Sequence, residues 1–370
     1  MKSIVYIGMD VHKNSYSLCA LHKETGEILG ESRIASDIKL VEKFISNIKK
    51  KVDEEVEIKT GYEAGCLGYS LYHQLTKRNI DCDILAPTTM AKSAKNKVVK
   101  NDRMDAKNIA ENLSNGTYKK VYVPCDEDVE VKEYIRMLDD FKKQQKKIKQ
   151  NINAFTLRHD LRYEGKSRWI STHIKWLKKV EVSEMYREIL DEYIAEFESL
   201  QEKIERFSYR IDELSHKETY EKKIGEVRCL KGIDTTAAMT MHVEISDFDR
   251  FPNAKAFATY VGLTPGDNSS GDKNNHTSIT KQGNSTVRTT LVECAQALVK
   301  GTPGVKGKRV TTRQKGQDVK VIEYADRAVV RLQKKYQKII FRGVPRNKVI
   351  TAIARELACF VWGIETGHIN

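Results

Sequence analysis

The chain has few means of covalent or metal cross-linking. Its seven cysteines (Cys19, Cys66, Cys82, Cys125, Cys229, Cys294 and Cys359) are odd in number, scattered, and form no CxxC pair. Neither a disulfide framework nor a cysteine zinc site follows from that spacing, and a reducing cytoplasm is the expected compartment. No apolar run approaches the roughly 18 residues of a membrane-spanning helix, and the start carries no signal-peptide core, so no membrane partner is expected. A Gly-rich phosphate loop is also missing after the first strand-like run, which argues against a nucleotide-binding doubly wound sheet. What is present is ample: 370 residues, 40% of them hydrophobic, enough for two or three domains with real cores and too apolar for a disordered chain.

Charge is unevenly spread. Lys and Arg outnumber Asp and Glu by 64 to 51, a net +13, and residues 301–350 hold fourteen Lys/Arg against three Asp/Glu, or +11 of that total. Such concentration fits a polyanionic partner, since each neutralised phosphate releases condensed counterions; a solvated basic surface is the plainer alternative.

Along the first 125 residues the pattern alternates between strand and helix. Residues 3–10, 15–22 and 27–34 read as short strands joined by tight links, the second link being Lys23-Glu24-Thr25-Gly26, which predicts antiparallel hairpins. A helix over 37–50, a strand over 55–63, a helix near 67–79, a strand over 81–87, a helix from about 103 and a last strand over 121–124 complete a mixed α/β sheet. This order matches a ribonuclease-H-like fold. From about 128, Tyr134, Leu138, Phe141, Gln145, Ile148, Ile152 and Phe155 repeat at spacings of four and three. Leu190, Tyr193, Phe197, Leu200, Ile204, Phe207, Ile211 and Leu214 do the same, predicting a coiled coil. Spacing leaves open pairing within one chain or between two; a dimerising or RNA-supporting stalk is the favoured expectation. Residues 224–300 return to a compact pattern with a Gly/Asn/Ser-rich loop at 262–284. Basic and apolar helices are predicted near 320–340 and 347–363.

Four carboxylates hold the chemistry. Asp10 closes the first strand inside an apolar run, and a buried lone carboxylate needs a cation or strong donors. Glu63 ends the central strand, where both strand ends can open at one edge. Asp102 and Asp105, three apart at a helix start, share a face. Four carboxylates meeting at one point repel unless divalent metal separates them, and two Mg²⁺ ions about 3.5–4 Å apart are the usual solution for phosphoryl transfer. Singly, each has a plainer role: Asp102 as a helix cap, Asp105 as a partner of the helix dipole, Asp10 paired with Lys13, Glu63 as a rim charge.

The segments YIGMDVHK, GYEAG and KNDRMDAKNIA, followed by LKGIDTTAAM, FATYVGLTPGDNSSG, KQGNSTVRTTL and VIEYADRA, resemble in order and spacing the DEDD transposases of the insertion-sequence family numbered one hundred and ten. The resemblance covers nearly the whole chain apart from its middle helices. It implies an α/β plus α architecture: a RuvC/RNase-H-like mixed sheet (1–158), a coiled-coil helical region (159–222) and a mainly helical serine-bearing transposase domain (223–370). It maps Asp10, Glu63, Asp102 and Asp105 onto the family's Mg²⁺-binding tetrad and Ser270 onto its nucleophile, with Ser269 adjacent. The implied composite site joins the two domains. An RNA-guided DNA transposase is therefore expected, forming a covalent phosphoserine–DNA intermediate. Its expected partners are a guide (bridge) RNA, the element junction and target DNA, and further copies of itself as a dimer or dimer of dimers, in a nucleoid-associated cytoplasmic setting. A Piv-type DNA invertase without guide RNA, a RuvC-like junction nuclease in which Ser270 is idle, and a non-catalytic nucleic-acid-binding relic are the alternatives.

Two departures stand out. Glu63-Ala64-Gly65 has alanine where many relatives have threonine, which leaves the carboxylate intact. Lys231-Gly232-Ile233-Asp234 resembles a helix-hairpin-helix turn, but Asp234 replaces its second glycine and sets negative charge toward any phosphate there. Lys306, Lys308, Arg309, Arg313 and Lys315 form a basic loop suited to a nucleic-acid backbone. Lys334, Lys335 and Lys338 flank Tyr336 on a basic helical face, and His242 and His276 read as lone surface or core histidines.

Overall fold

The computed structural model describes residues 3–52, 55–65, 67–91, 101–267 and 276–369. Alternation in β1 (Ser3–Val11) buries Val5, Ile7 and Met9 on one face and turns Tyr6, Gly8 and Asp10 to the other. β2 (Ser15–His22) returns antiparallel with Met9 opposite Leu18, and β3 (Ile28–Ala35) pairs antiparallel with β2. α1 (Ile38–Lys51) starts where Asp37 accepts the Lys39 amide hydrogen at 2.9 Å, and ends on Lys49, Lys50 and Lys51, matching the helix dipole. Its Val41, Ile45 and Ile48 are buried against the sheet, each contributing roughly 1.5–3 kcal/mol. β4 (Val56–Glu63), α2 (Ser70–Thr76) and β5 (Asp81–Leu85) extend the sheet in parallel, giving the order β3-β2-β1-β4-β5. α3 (Asp102–Asn115) covers the opposite face, over Tyr6 and Leu85. A mixed sheet of this order is compatible with a ribonuclease-H-like domain.

The segment 121–124 does not form the expected strand. Val121 donates its amide hydrogen to the Ile84 carbonyl at 2.7 Å and Lys120 bridges Leu85, but Pro124 has no N–H to lengthen the ladder and the next helix begins at Asp126.

The chain divides into two compact units, Met1–Val123 and Pro124–Asn370. The second opens with α4 (Asp126–Arg158), α5 (Ser171–Lys179) and α6 (Glu184–Ser215). Both heptad seams close within the chain. Tyr134 stacks on Phe207 at 4.3 Å between ring centroids, Gln145 donates to Gln201 at 2.8 Å, and Ile152 and Phe155 share a core with Leu190, Ile194 and Phe197. These pairs run in opposite directions along the two sequences, so α4 and α6 form an antiparallel hairpin. α4, grouped with the first domain by the sequence boundary at 158, thus packs in the second unit. The seam that favoured a dimerising stalk is satisfied by its own chain.

The rest is a helical core. α7 (Glu218–Val227), α8 (Thr235–Ile245), α9 (Ala254–Tyr260), the hairpin β6 (Pro265–Asp267) and β7 (His276–Ile279), α10 (Ser285–Leu298), α11 (Lys308–Gln314), α12 (Val319–Ile340) and α13 (Arg346–Thr366) follow in order. α13 buries Ile350, Ile353, Ala354, Leu357 and Val361 at the spacing that predicts a core helix. Among the described residues no helix is long and apolar enough to cross a membrane.

Candidate active site

The site begins with a glycine. A Cβ on Gly8 would collide with the Ala106 carbonyl and the Ala110 amide, so the α3 backbone rests directly on β1 there. That contact brings the first turn of α3 to the end of β1, where Asp10 stands. Gly61 on β4 makes room for the Leu113 side chain of α3 and the Leu85 side chain of β5, and alternation puts Glu63 on the same face two residues later. The last registered pair of β1 and β4 is Met9 with Tyr62, which makes Asp10 and Glu63 the next residues on adjacent strands.

Capping of α3 falls to Asn101, whose side chain accepts the Arg103 amide hydrogen at 3.1 Å. Asp102 is released from that role. One ligand atom from each of Asp10, His12 and Asp102 lies within 4.8 Å of the other two. His12 Nε2 is 3.1 Å from Asp10 Oδ2 and 3.8 Å from Asp102 Oδ1, and Arg33 Nη2 reaches Asp102 Oδ2 at 3.6 Å. The side chain beside Asp10 is therefore His12, and among the described residues no ion pair joins Asp10 to Lys13. Glu63 and Asp105 share the face but lie outside this three-residue group.

Asp10 is the strained member. Burial pushes its carboxyl above the usual carboxylate range; His12 pulls it back, and the charges of Asp102 and Asp105 push it further up. Its Oδ2 is buried, with His12 Nε2 beside it at 3.1 Å. A buried carboxylate oxygen next to an imidazole nitrogen and a second carboxylate has the donor set of a divalent-cation site. His12 stands inside the quoted motif yet carried no assignment from sequence; a histidine two residues after a strand-end aspartate was its only signal. Gly8 and Asn101 were equally unmarked.

Ser269 and Ser270 lie outside the described residues. The flanking strands pair antiparallel, with Asp267 opposite His276 and Pro265 opposite Ile279.

The basic cluster is helical where a loop was expected, because Gly307 leads into α11 and Val310 and Gln314 are buried on its inner face. Lys306 forms an ion pair with Asp326 and donates to Gln314 at 2.8 Å; Arg313 donates to the Ile233 carbonyl. Lys308, Arg309 and Lys315 are exposed. In the 231–234 turn, Gly232 (φ 92°) packs on the α10 backbone and Asp234 caps α8 by accepting the Ala237 amide hydrogen at 2.8 Å, so that helix end already has its anion. His242 is half-buried and lies 3.1 Å from the buried Glu365.

Residues 226–308 match the model of the "Transposase IS116/IS110/IS902 family", and residues 7–158 match that of the IS110-type DEDD transposases. Over 97% of this chain and 88% of the relative, the sequence is 31% identical to the protein y4qE of Sinorhizobium fredii, provisionally named a transposase. It is 29% identical to the transposase for insertion sequence element IS1533 of Leptospira borgpetersenii, over 92% of this chain and 97% of the relative. Identity to the transposase for insertion sequence element IS1111A of Coxiella burnetii is 23%, over 81% and 79%.

Proposed function

The chain belongs to the IS116/IS110/IS902 family of transposases, and on that premise we propose that it cuts and rejoins insertion-sequence DNA at a magnesium centre built around Asp10. The observation that carries this reading is the convergence of ligand atoms from Asp10, His12 and Asp102 within 4.8 Å of one another, beside the buried Oδ2 of Asp10. Asp10 and Asp102 would hold the metal, with Asp105 and Glu63 completing the set from the same face. Bound Mg²⁺ offsets the carboxylate repulsion and stabilises charge developing on a transferring phosphoryl group. Asp10 would lend a carboxylate oxygen to the metal, and its low exposure excludes water from one side of the centre. His12 orients both aspartates, and Arg33 offers a cation at the outer edge for a phosphate.

For the covalent step the reading takes Ser270 as nucleophile. Its hydroxyl gives up a proton as the Oγ–phosphorus bond forms; the bond from phosphorus to the departing sugar oxygen breaks, and that oxygen takes up a proton. Attack by a sugar hydroxyl of another strand reverses the exchange and rejoins DNA without ATP, because the phosphodiester energy is kept. Target choice falls to a guide RNA that pairs with DNA, and the working form is a homo-oligomer; the motif resemblance supports both parts. The test incubates protein, Mg²⁺, cellular RNA and DNA carrying the element junction, then resolves the products on a denaturing gel. Wild type should leave a protein–DNA adduct that Ser270→Ala and Asp102→Ala both abolish. Cleavage without an adduct in either the wild type or Ser270→Ala would replace the serine route with hydrolysis by water.

A further inference from the structure

A cleft of about 700 Å³ opens in the second unit between α9, α12 and α13. It is far from neutral. Lys255, Arg331, Lys335 and Arg355 line it against a single carboxylate, Glu356. That carboxylate is already satisfied, by Arg331 Nε at 2.6 Å and Lys335 Nζ at 2.5 Å. No carboxylate among the described residues is ion-paired with Lys255 or Arg355, and both are exposed. Cys359 shares the lining with these cations and Glu356, and the charges of Arg355, Glu356, Lys255 and Arg331 all act on its thiol.

One wall is aromatic. Half-buried Phe360 lies under the Arg331 guanidinium at 6.0 Å and meets Tyr324 edge-on at 5.5 Å. Positive charge beside an accessible ring is the composition of a single-strand groove, in which cations follow phosphates and a ring stacks on a base. The volume falls in the range of about 300–1,000 Å³ typical of built ligand sites. Thr264, also on the lining, stands six residues before Ser270 in the chain.

We infer that the cleft bounded by Lys255, Arg331, Arg355 and Phe360 binds a segment of single-stranded nucleic acid through its phosphates and one stacked base. The choice of a nucleic acid rests on the reading of the chain as a DNA-rearranging enzyme. Lys255 and Arg355 are the phosphate contacts, because their charge is uncommitted; Arg331 is held by Glu356 and shapes the wall.

The test measures binding of the full chain to short fluorescein-labelled oligothymidylate and oligouridylate by anisotropy, with EDTA present, over a salt series. Lys255→Gln/Arg355→Gln should weaken binding about tenfold and flatten the slope of log K against log salt by about 1.4, two contacts at the single-strand value. Neither residue holds an internal partner, so far-ultraviolet dichroism should be unchanged. Phe360→Leu, which keeps an apolar wall, should weaken binding with no change in slope. A loss confined to one oligonucleotide identifies the occupant as DNA or RNA. Lys334→Gln/Lys338→Gln, exposed on α12 outside the cleft, is the control: an equal loss there, or no loss in the cleft variant, overturns the inference. Metal-dependent cleavage by the same preparations separates the two readings. Cleavage with unchanged binding removes the cleft alone, whereas cleft-dependent binding without wild-type cleavage removes the transposition reading alone.

Discussion

The carboxylate face of the first unit and the basic helix of the second treat charge in opposite ways. On α11 and beside it, cations find partners in the protein: exposed Lys306 meets Asp326 and Gln314, and half-buried Arg313 donates to the Ile233 carbonyl while its Nε stays buried without a hydrogen bond. At the end of β1, Asp10 is drawn inside with two further carboxylates acting on it and the His12 imidazole, 3.1 Å from its Oδ2, set against them. Both units leave buried polar atoms without a hydrogen bond among the described residues, Arg313 Nε in one and Asp10 Oδ2 in the other; what sets Asp10 apart is that ligand atoms of His12 and Asp102 gather with its own within 4.8 Å. Converging ligand atoms, more than charge density, separate a candidate site from a surface.

The sharpest way to break that contrast is to lift α3 off the sheet. Gly8→Ala forces a methyl group into the Ala106–Ala110 backbone, which has no flexible end to yield. A loss of about 3 kcal/mol or more is expected from overpacking against main chain, with metal-dependent cleavage gone even where the protein still folds. Chemical denaturation and a cleavage assay read both. Near-native stability with retained cleavage would mean that the α3–β1 contact does not position the carboxylates.

Removing the Asp10 charge itself should separate stability from activity. Asp10→Asn relieves the repulsion from Asp102 and Asp105 and spares a carboxylate the penalty of burial. Without metal, the variant should melt at or above the wild-type temperature. Addition of Mg²⁺ should raise the melting temperature of wild type and leave the variant unmoved, while cleavage falls roughly a hundredfold or more. Equal Mg²⁺ stabilisation of both proteins would place the cation elsewhere.

The strands and their ends are legible in the sequence, because alternation is a periodic feature of it. Asp10 and Glu63 sit where the apolar runs stop, and α13 buries the face its spacing predicts. What stayed hidden depends on contacts between distant segments. His12 becomes part of the site only when α3 brings Asp102 to it, and Gly8 matters only because Ala106 lies above it. The heptads of α4 and α6 could not reveal their partner, since one apolar seam fits a second chain as well as its own. The division of labour within the basic cluster also needed Asp326 and Ile233, residues far from it in sequence or on another helix.

That division sets the last and smallest expected difference. Lys308→Gln/Arg309→Gln/Lys315→Gln removes exposed cations that lack an internal role, so stability should hold within about 0.5 kcal/mol. If these residues follow duplex phosphates, affinity for DNA should fall and the salt slope flatten by up to about 2.7. Lys306→Met should do the reverse. It leaves Asp326 with the Gln314 side-chain amide as its remaining partner and takes the donor from the buried Gln314 Oε1, costing about 1–3 kcal/mol of stability, and leaves the salt slope within error of wild type. Thermal melts and filter-binding titrations on the two variants are sufficient. An unchanged slope in the triple variant would make α11 a solvated surface, and a flattened slope in Lys306→Met would show that its ion pair opens to reach DNA. In either case satisfaction within the fold would no longer predict which cations of this segment meet a partner.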